Sequence, residues 1–457
     1  MIELLELCGF EEDELKKELP RIEKAFNKLG ITAEDIETGK QRLHRYYDVD
    51  LKGIRKTLRL LVQNLVNTVM AKEDGKTKIV YGFMIPGFAV FTSALVSKYK
   101  DIHAEYILPQ FQVVLGAIFD KMNPVLEAAE SKWLKAGAVY HCGNVKGLLG
   151  LLTTGLLPGP DLLITSGLLC ETAPKTIDLL HEVYGLSTCT YDACCDRESK
   201  EYADATQRLV DMAAKSLRMV TARIKDEIGV EITDDMLRET MDARKGLNEA
   251  FGRIQGLIVS SDPMPLRSQD QFLLDYLSAF TFSIEHLPEV IDVLNMLYEE
   301  LQERVDKGVG VTGKGAPKIL AILPSHHTNP REDSAVNEAG MSMISAYRIL
   351  TLPDIETQED PYKQMIWEVT NGLLFQNLDR RIAMITEGCK RLNMNGVLDH
   401  YHVGCRTVTG DAFFIKEAVA KESGIPALLQ LRDDFDGRLY DHEQFKRSLE
   451  VFKGMIS

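Results

Sequence analysis

From residue 11 to residue 29 apolar side chains recur at helical spacing, and the run stops at Gly30, a residue suited to the left-handed turn that ends helices. Thr32 is placed to cap a second, long helix that the pattern carries toward Met70. The period then changes. KTKIVYGF (76–83) predicts a strand, and short apolar or β-branched runs follow at 137–141, 161–166 and 187–191. Amphipathic helical stretches separate several of them, a rhythm that implies a parallel sheet with helical crossovers. After residue 200 the strand signals vanish, and helical periodicity runs through 203–228, 234–259 and 269–306. Strands return at 318–323, 396–400 and 426–431. The expected fold class is therefore α/β, with two doubly wound parallel-sheet domains. The expected division is an N-terminal helical segment (1–75), a first α/β domain (76–200), a helical insert (201–306) and a second α/β domain (307–457). A chain of 457 residues agrees with more than one core.

One apolar stretch is long enough to span a bilayer, GLLGLLTTGLLPGPDLLITSGLLC (147–170). The Pro158–Gly159–Pro160–Asp161 break divides it into a buried helix, a turn and a buried strand, so no membrane span is expected. The first twenty residues turn acidic and lack a basic leader region, which predicts no signal peptide and a cytoplasmic protein. A net charge of −15 argues against nucleic acid as a partner, since such partners need a basic patch. An anionic substrate would need a local basic pocket set against this field. GVGVTGKG (308–315) mimics a phosphate-binding loop. It follows a charged helix and precedes a strand, the reverse of the order such loops need, so it reads as a linker.

The eight cysteines have no regular disulfide spacing and are expected as thiols or metal ligands. In a doubly wound sheet, ligands bind beyond the carboxyl ends of the strands. Cys142 follows the run ending at His141, Cys170 follows 161–166, and Cys405 follows 396–400, so all three fall on that rim. Cys389 precedes a strand and belongs to the opposite rim. Cys8 lies in the helical N-terminus and Cys189 inside a strand. Cys194 and Cys195 are correctly placed for a second role. Three thiolates suit a [4Fe–4S] cluster with one open iron. Zinc competes, because His141, His400 and His402 are near in sequence, and buried cysteines also pack simply as small apolar groups.

HCGNVKGLLG (141–150), PDLLITSGLLCETAPK (160–175) and NGVLDHYHVGCRTVTGDAFFIKEAVAKESGIPALLQLRDDFDGR (395–438) together resemble the 2-hydroxyacyl-CoA dehydratase and benzoyl-CoA reductase family. The resemblance covers roughly 78–200 and 310–457. It implies an iron–sulfur subunit whose cluster is held by Cys142, Cys170 and Cys405. It also implies pairing with a homologous subunit or with itself, and a separate ATP-dependent iron–sulfur activator that injects a low-potential electron. The implied reaction is radical dehydration or reduction of an acyl-CoA, through one-electron reduction of the thioester carbonyl, in an oxygen-sensitive enzyme. Arg406 or Lys146 would supply local positive charge, although a surface ion pair is as good a reading for Arg406 and a solvated one is better for Lys146.

The chain departs from the family in two places. The family's early Cys-x-Tyr-x-Pro-Glu segment is replaced by Gly82-Phe83-Met84-Ile85-Pro86-Gly87. The loop PSHHTNPRED carries His326 and His327, which, with His402, are candidates for acid–base work or for plain surface and structural roles. These departures leave open a non-catalytic electron-transfer protein. They also leave open a double-cubane [8Fe–9S] reductase of small molecules that would recruit Cys194 or Cys195.

Overall fold

The structure is a computed structural model and describes residues 1–133, 141–168, 170–192, 205–322, 328–351, 357–402, 404–433 and 435–456. Two four-stranded sheets organise it, and every pairing in both is parallel. The first comprises β1 (Lys78–Phe83), β2 (Ile102–Tyr106), β3 (Leu162–Ser166) and β4 (Thr188–Tyr191), in the order β2-β1-β3-β4. The second comprises β5 (Lys318–Ala321), β6 (Ser342–Ser345), β7 (Gly396–His402) and β8 (Ala427–Arg432), in the order β6-β5-β7-β8. The two sheets thus repeat one topology. In each, the strand order reverses between the first and third strands, at β1/β3 and β5/β7, the kind of point at whose carboxyl ends such sheets bind ligands. The α/β class expected from the pattern is present.

Four helices precede β1: α1 (Ile2–Leu7), α2 (Glu12–Lys28), α3 (Ala33–Tyr46) and α4 (Lys52–Met70). Thr32 does cap α3, its hydroxyl accepting the Asp35 N–H at 3.3 Å. The single helix expected from there to Met70 is broken, however. Arg304 grips the Asp48 carboxylate at the break, and Asp270 accepts the Asp48 N–H at 3.1 Å, so distant side chains hold a buried turn inside an unbroken apolar pattern.

Within the first sheet region run α5 (Phe88–Lys98), α6 (Asn123–Lys132), α7 (Gly143–Thr154) and α8 (Thr172–Tyr184). Next come α9 (Ala205–Ile228), α10 (Asp234–Ser260), α11 (Ser268–Ala279) and α12 (Leu287–Asp306). The run expected at 269–306 is two helices, because Glu105 takes the Thr281 N–H at 3.1 Å and fixes the intervening bend. These helices do not stand apart from the rest. α9 lies on β3 and β4, and α12 lies so close to α4 that a methyl on Gly53 would come within 2.5 Å of Leu297 Cβ. Around the second sheet follow α13 (Arg331–Glu338), α14 (Ala346–Ile349), α15 (Pro361–Thr370), α16 (Leu378–Arg391), α17 (Arg406–Ser423) and α18 (His442–Ile456). No helix among the described residues is long and apolar enough to cross a membrane, and 147–170 divides into α7, a turn and β3.

Candidate functional site

The three rim cysteines each stand at the start of a helix. Cys142 is the N-cap of α7, Cys405 is the N-cap of α17, and Cys170 precedes Glu171, the N-cap of α8. Cys170 and Cys405 also occupy equivalent places in the two sheets, after β3 and after β7. Helix starts present unpaired N–H groups and the positive end of the macrodipole, which favours thiolate. None of the three is in a disulfide, and all are partly buried. Burial is the first cause that pushes the Cys142 thiol up, and the charges of Asp433, Cys170 and Cys405 push it further. The topology therefore sets within electrostatic reach of Cys142 two thiols up to 263 positions away in the sequence.

The remaining described cysteines are elsewhere. Cys389 is buried in α16, on the entry side of β7, and burial alone raises its thiol to about 12. Cys8 is buried beside α1 and is raised to about 12 by burial, with Arg55 opposing. Cys189 lies within β4. Cys194, Cys195, His326 and His327 lie outside the described residues, as does most of the strand expected at 137–141. Among the described residues, no three or more His, Cys, Asp or Glu side chains are already gathered closely enough to hold a metal ion. Two of the histidines considered as zinc ligands are otherwise engaged. His400 Nε2 lies 3.0 Å from Glu332 Oε1, with both side chains fully buried, and His402 Nε2 accepts from Arg432 Nε at 3.2 Å. His402 also ties down the Cys405 turn, since its carbonyl accepts the Cys405 N–H at 3.2 Å and the Thr409 hydroxyl.

The segment after β8 closes the site. The Asp433 Oδ2 accepts the Gly143 N–H at 2.6 Å, and its Oδ1 accepts the N–H groups of Phe435 at 2.9 Å and Asp436 at 3.0 Å. Phe435 is fully buried against Gly143 and Gly147, so α7 lies directly on this segment. Lys146 corrects the expectation of a solvated lysine. It is 3% exposed, with its ammonium 3.0 Å from Glu130 and 3.2 Å from Asp436. Arg438 bridges the same two carboxylates, with Nε 2.7 Å from Asp436 Oδ1 and Nη1 3.0 Å from Glu130 Oε2. Burial opposes the ionisation of Asp436, but Arg438 and Lys146 outweigh it and hold its carboxyl at about 2. Arg406 is the first residue of α17, and its side chain lies outside the described residues.

The sequence pattern did not single out Asp433, Phe435 or the Glu130–Lys146–Asp436–Arg438 network. The local signal was the cluster DDFDGR, whose partners sit 290 positions away. Beside this seam a cleft of about 210 Å³ opens between Thr328, Arg331, Phe435, Arg438 and Tyr440.

The scaffold is α/β, two sheets of repeated topology with three thiols at helix starts, and comparison with known proteins gives the family. The family model of the 2-hydroxyglutaryl-CoA dehydratase D-component matches residues 103–456, and the chain belongs to that family. A benzoyl-CoA reductase subunit of Thauera aromatica is 21% identical over 336 residues, covering 69% of this chain and 76% of the relative. The (R)-2-hydroxyisocaproyl-CoA dehydratase alpha subunit of Clostridioides difficile is 20% identical over 409 residues, covering 86% and 93%. The family and these relatives are dehydratase and reductase enzymes named for acyl-CoA substrates, and both relatives are named as subunits.

Proposed function

We propose that the chain is the iron–sulfur subunit of a 2-hydroxyacyl-CoA dehydratase or benzoyl-CoA reductase-like enzyme, holding a [4Fe–4S] cluster on Cys142, Cys170 and Cys405. The convergence of these three thiols carries the reading. The donor set fits such a group in its chemistry: three soft thiols, none in a disulfide, each at a helix start. When bound, the cluster would supply a low-potential electron and an open iron for a thioester oxygen. The chain's own residues would do the rest. Cys142 and Cys170 hold the first-sheet side and Cys405 the second-sheet side, while Phe435 and the α7 glycines exclude water between them. The His402 carbonyl holds the Cys405 turn in place, and its imidazole is engaged by Arg432.

The electron would come from an ATP-dependent iron–sulfur activator, the substrate would be an acyl-CoA, and a homologous subunit or a second copy would complete the enzyme, in the cytoplasm. This reading predicts that Cys405→Ala, purified without oxygen, loses the visible cluster absorption while Cys389→Ala retains it. Equal loss in both variants would overturn the assignment of the ligands.

A further inference from the structure

We infer that Asp433 is a positioning residue that lowers the reduction potential of the cluster, by fixing a carboxylate against Cys142 and by withholding the Gly143 N–H from the cluster's sulfur atoms. The inference rests on the cluster assignment above and concerns residues that assignment does not use.

Gly143 is the first residue of α7, directly after a ligand cysteine. Its N–H is one of the helix's unpaired starting donors, the kind that ordinarily turns to an anion at the helix terminus. At a cluster ligand that anion would be sulfur, and N–H donation to sulfur raises a cluster's potential. Here the donor is already taken. Asp433 Oδ2 accepts it at 2.6 Å, and the carboxylate is locked by the N–H groups of Phe435 and Asp436. Asp433 is 3% exposed, so water contributes little to screening its carboxylate. The fit is tight, because a methyl on Gly143 would lie 2.0 Å from Asp433 Oδ1. The carboxylate thus has two effects of one sign. It removes a donor that would stabilise the reduced cluster, and it places negative charge where reduction adds another. Three helix starts push the potential the other way, and Asp433 offsets them at Cys142.

The test uses the full chain purified without oxygen, with the cluster's midpoint followed by redox titration and electron paramagnetic resonance. Asp433→Asn keeps the shape and loses the charge, and Asp433→Ser keeps only a shorter acceptor. The expected result is a midpoint more positive than wild type in each variant that carries cluster, with iron and sulfide contents equal to wild type. An unchanged or more negative midpoint in a loaded variant overturns the inference and leaves the cluster assignment standing. Loss of the cluster from both variants also overturns it, because Asp433 would then serve assembly. Absence of any cluster from the wild-type chain overturns the assignment itself.

Discussion

At Gly143 there is no room for a side chain. A methyl there would approach Asp433 Oδ1 to 2.0 Å and Phe435 Cβ to 2.5 Å, both parts of a segment anchored on the other sheet. Gly147 faces the Phe435 ring in the same way, and a methyl on Gly150 would meet the Val125 carbonyl at 2.0 Å. These glycines serve close approach, since α7 must lie against two neighbours at once. Gly143→Ala should therefore lower stability by about 1–3 kcal/mol, the usual cost of overpacking, and reduce the iron retained after anaerobic purification. Denaturant unfolding and iron analysis would check this, and a variant with wild-type stability and iron would contradict it. Gly87 has a related explanation. It takes φ 73° at the start of α5, and a methyl there would lie 2.8 Å from Val369 Cγ2 in α15. The residue that stands where the family's segment has its acid is thus a packed turn.

At the scale of elements, the apolar pattern predicted six of the eight strands wholly or in large part, and the Thr32 cap and the main helices were legible. β2 and β6 were missed for physical reasons. β2 reads IHAEY, with His103 and Glu105 buried where an apolar run would be expected, and β6 is a four-residue SMIS. Both are edge strands whose burial depends on distant helices. Burial raises the Glu105 carboxyl to about 7, against hydrogen bonds from Asn64 and from the backbone of Thr281 and Tyr106. A carboxyl raised in the folded state favours folding at low pH. Its contribution is full below the unfolded value and is lost as pH rises through about 7. Asp399, raised by burial to about 7, has the same sign. Glu105→Gln should flatten the fall in stability between pH 5 and pH 8, relieving about 3 kcal/mol at most. Urea midpoints at the two pH values measure this, and an unchanged slope would contradict it.

At the scale of the whole molecule, a repeated β-α-β topology places Cys170 and Cys405 at matching positions, and a partly buried ionic seam links α6 and α7 to the segment after β8. Asp436 gives that seam the opposite pH sign to Glu105. Its depressed carboxyl contributes stability above the ordinary carboxylate range, lost as pH falls toward about 2. The rim position of Cys170 and Cys405 was legible, because each follows a strand, β3 and β7, that the apolar pattern predicted, whereas the strand expected before Cys142 lies outside the described residues. The seam was not, because Lys146 and Asp436 are 290 positions apart and an isolated lysine in a sequence reads as solvated.

Iron and acid-labile sulfide per chain, measured in protein purified without oxygen, test whether the three thiols hold one iron–sulfur cluster. The account predicts about four of each, with visible absorption that bleaches in air. Zinc without sulfide in that preparation would contradict it.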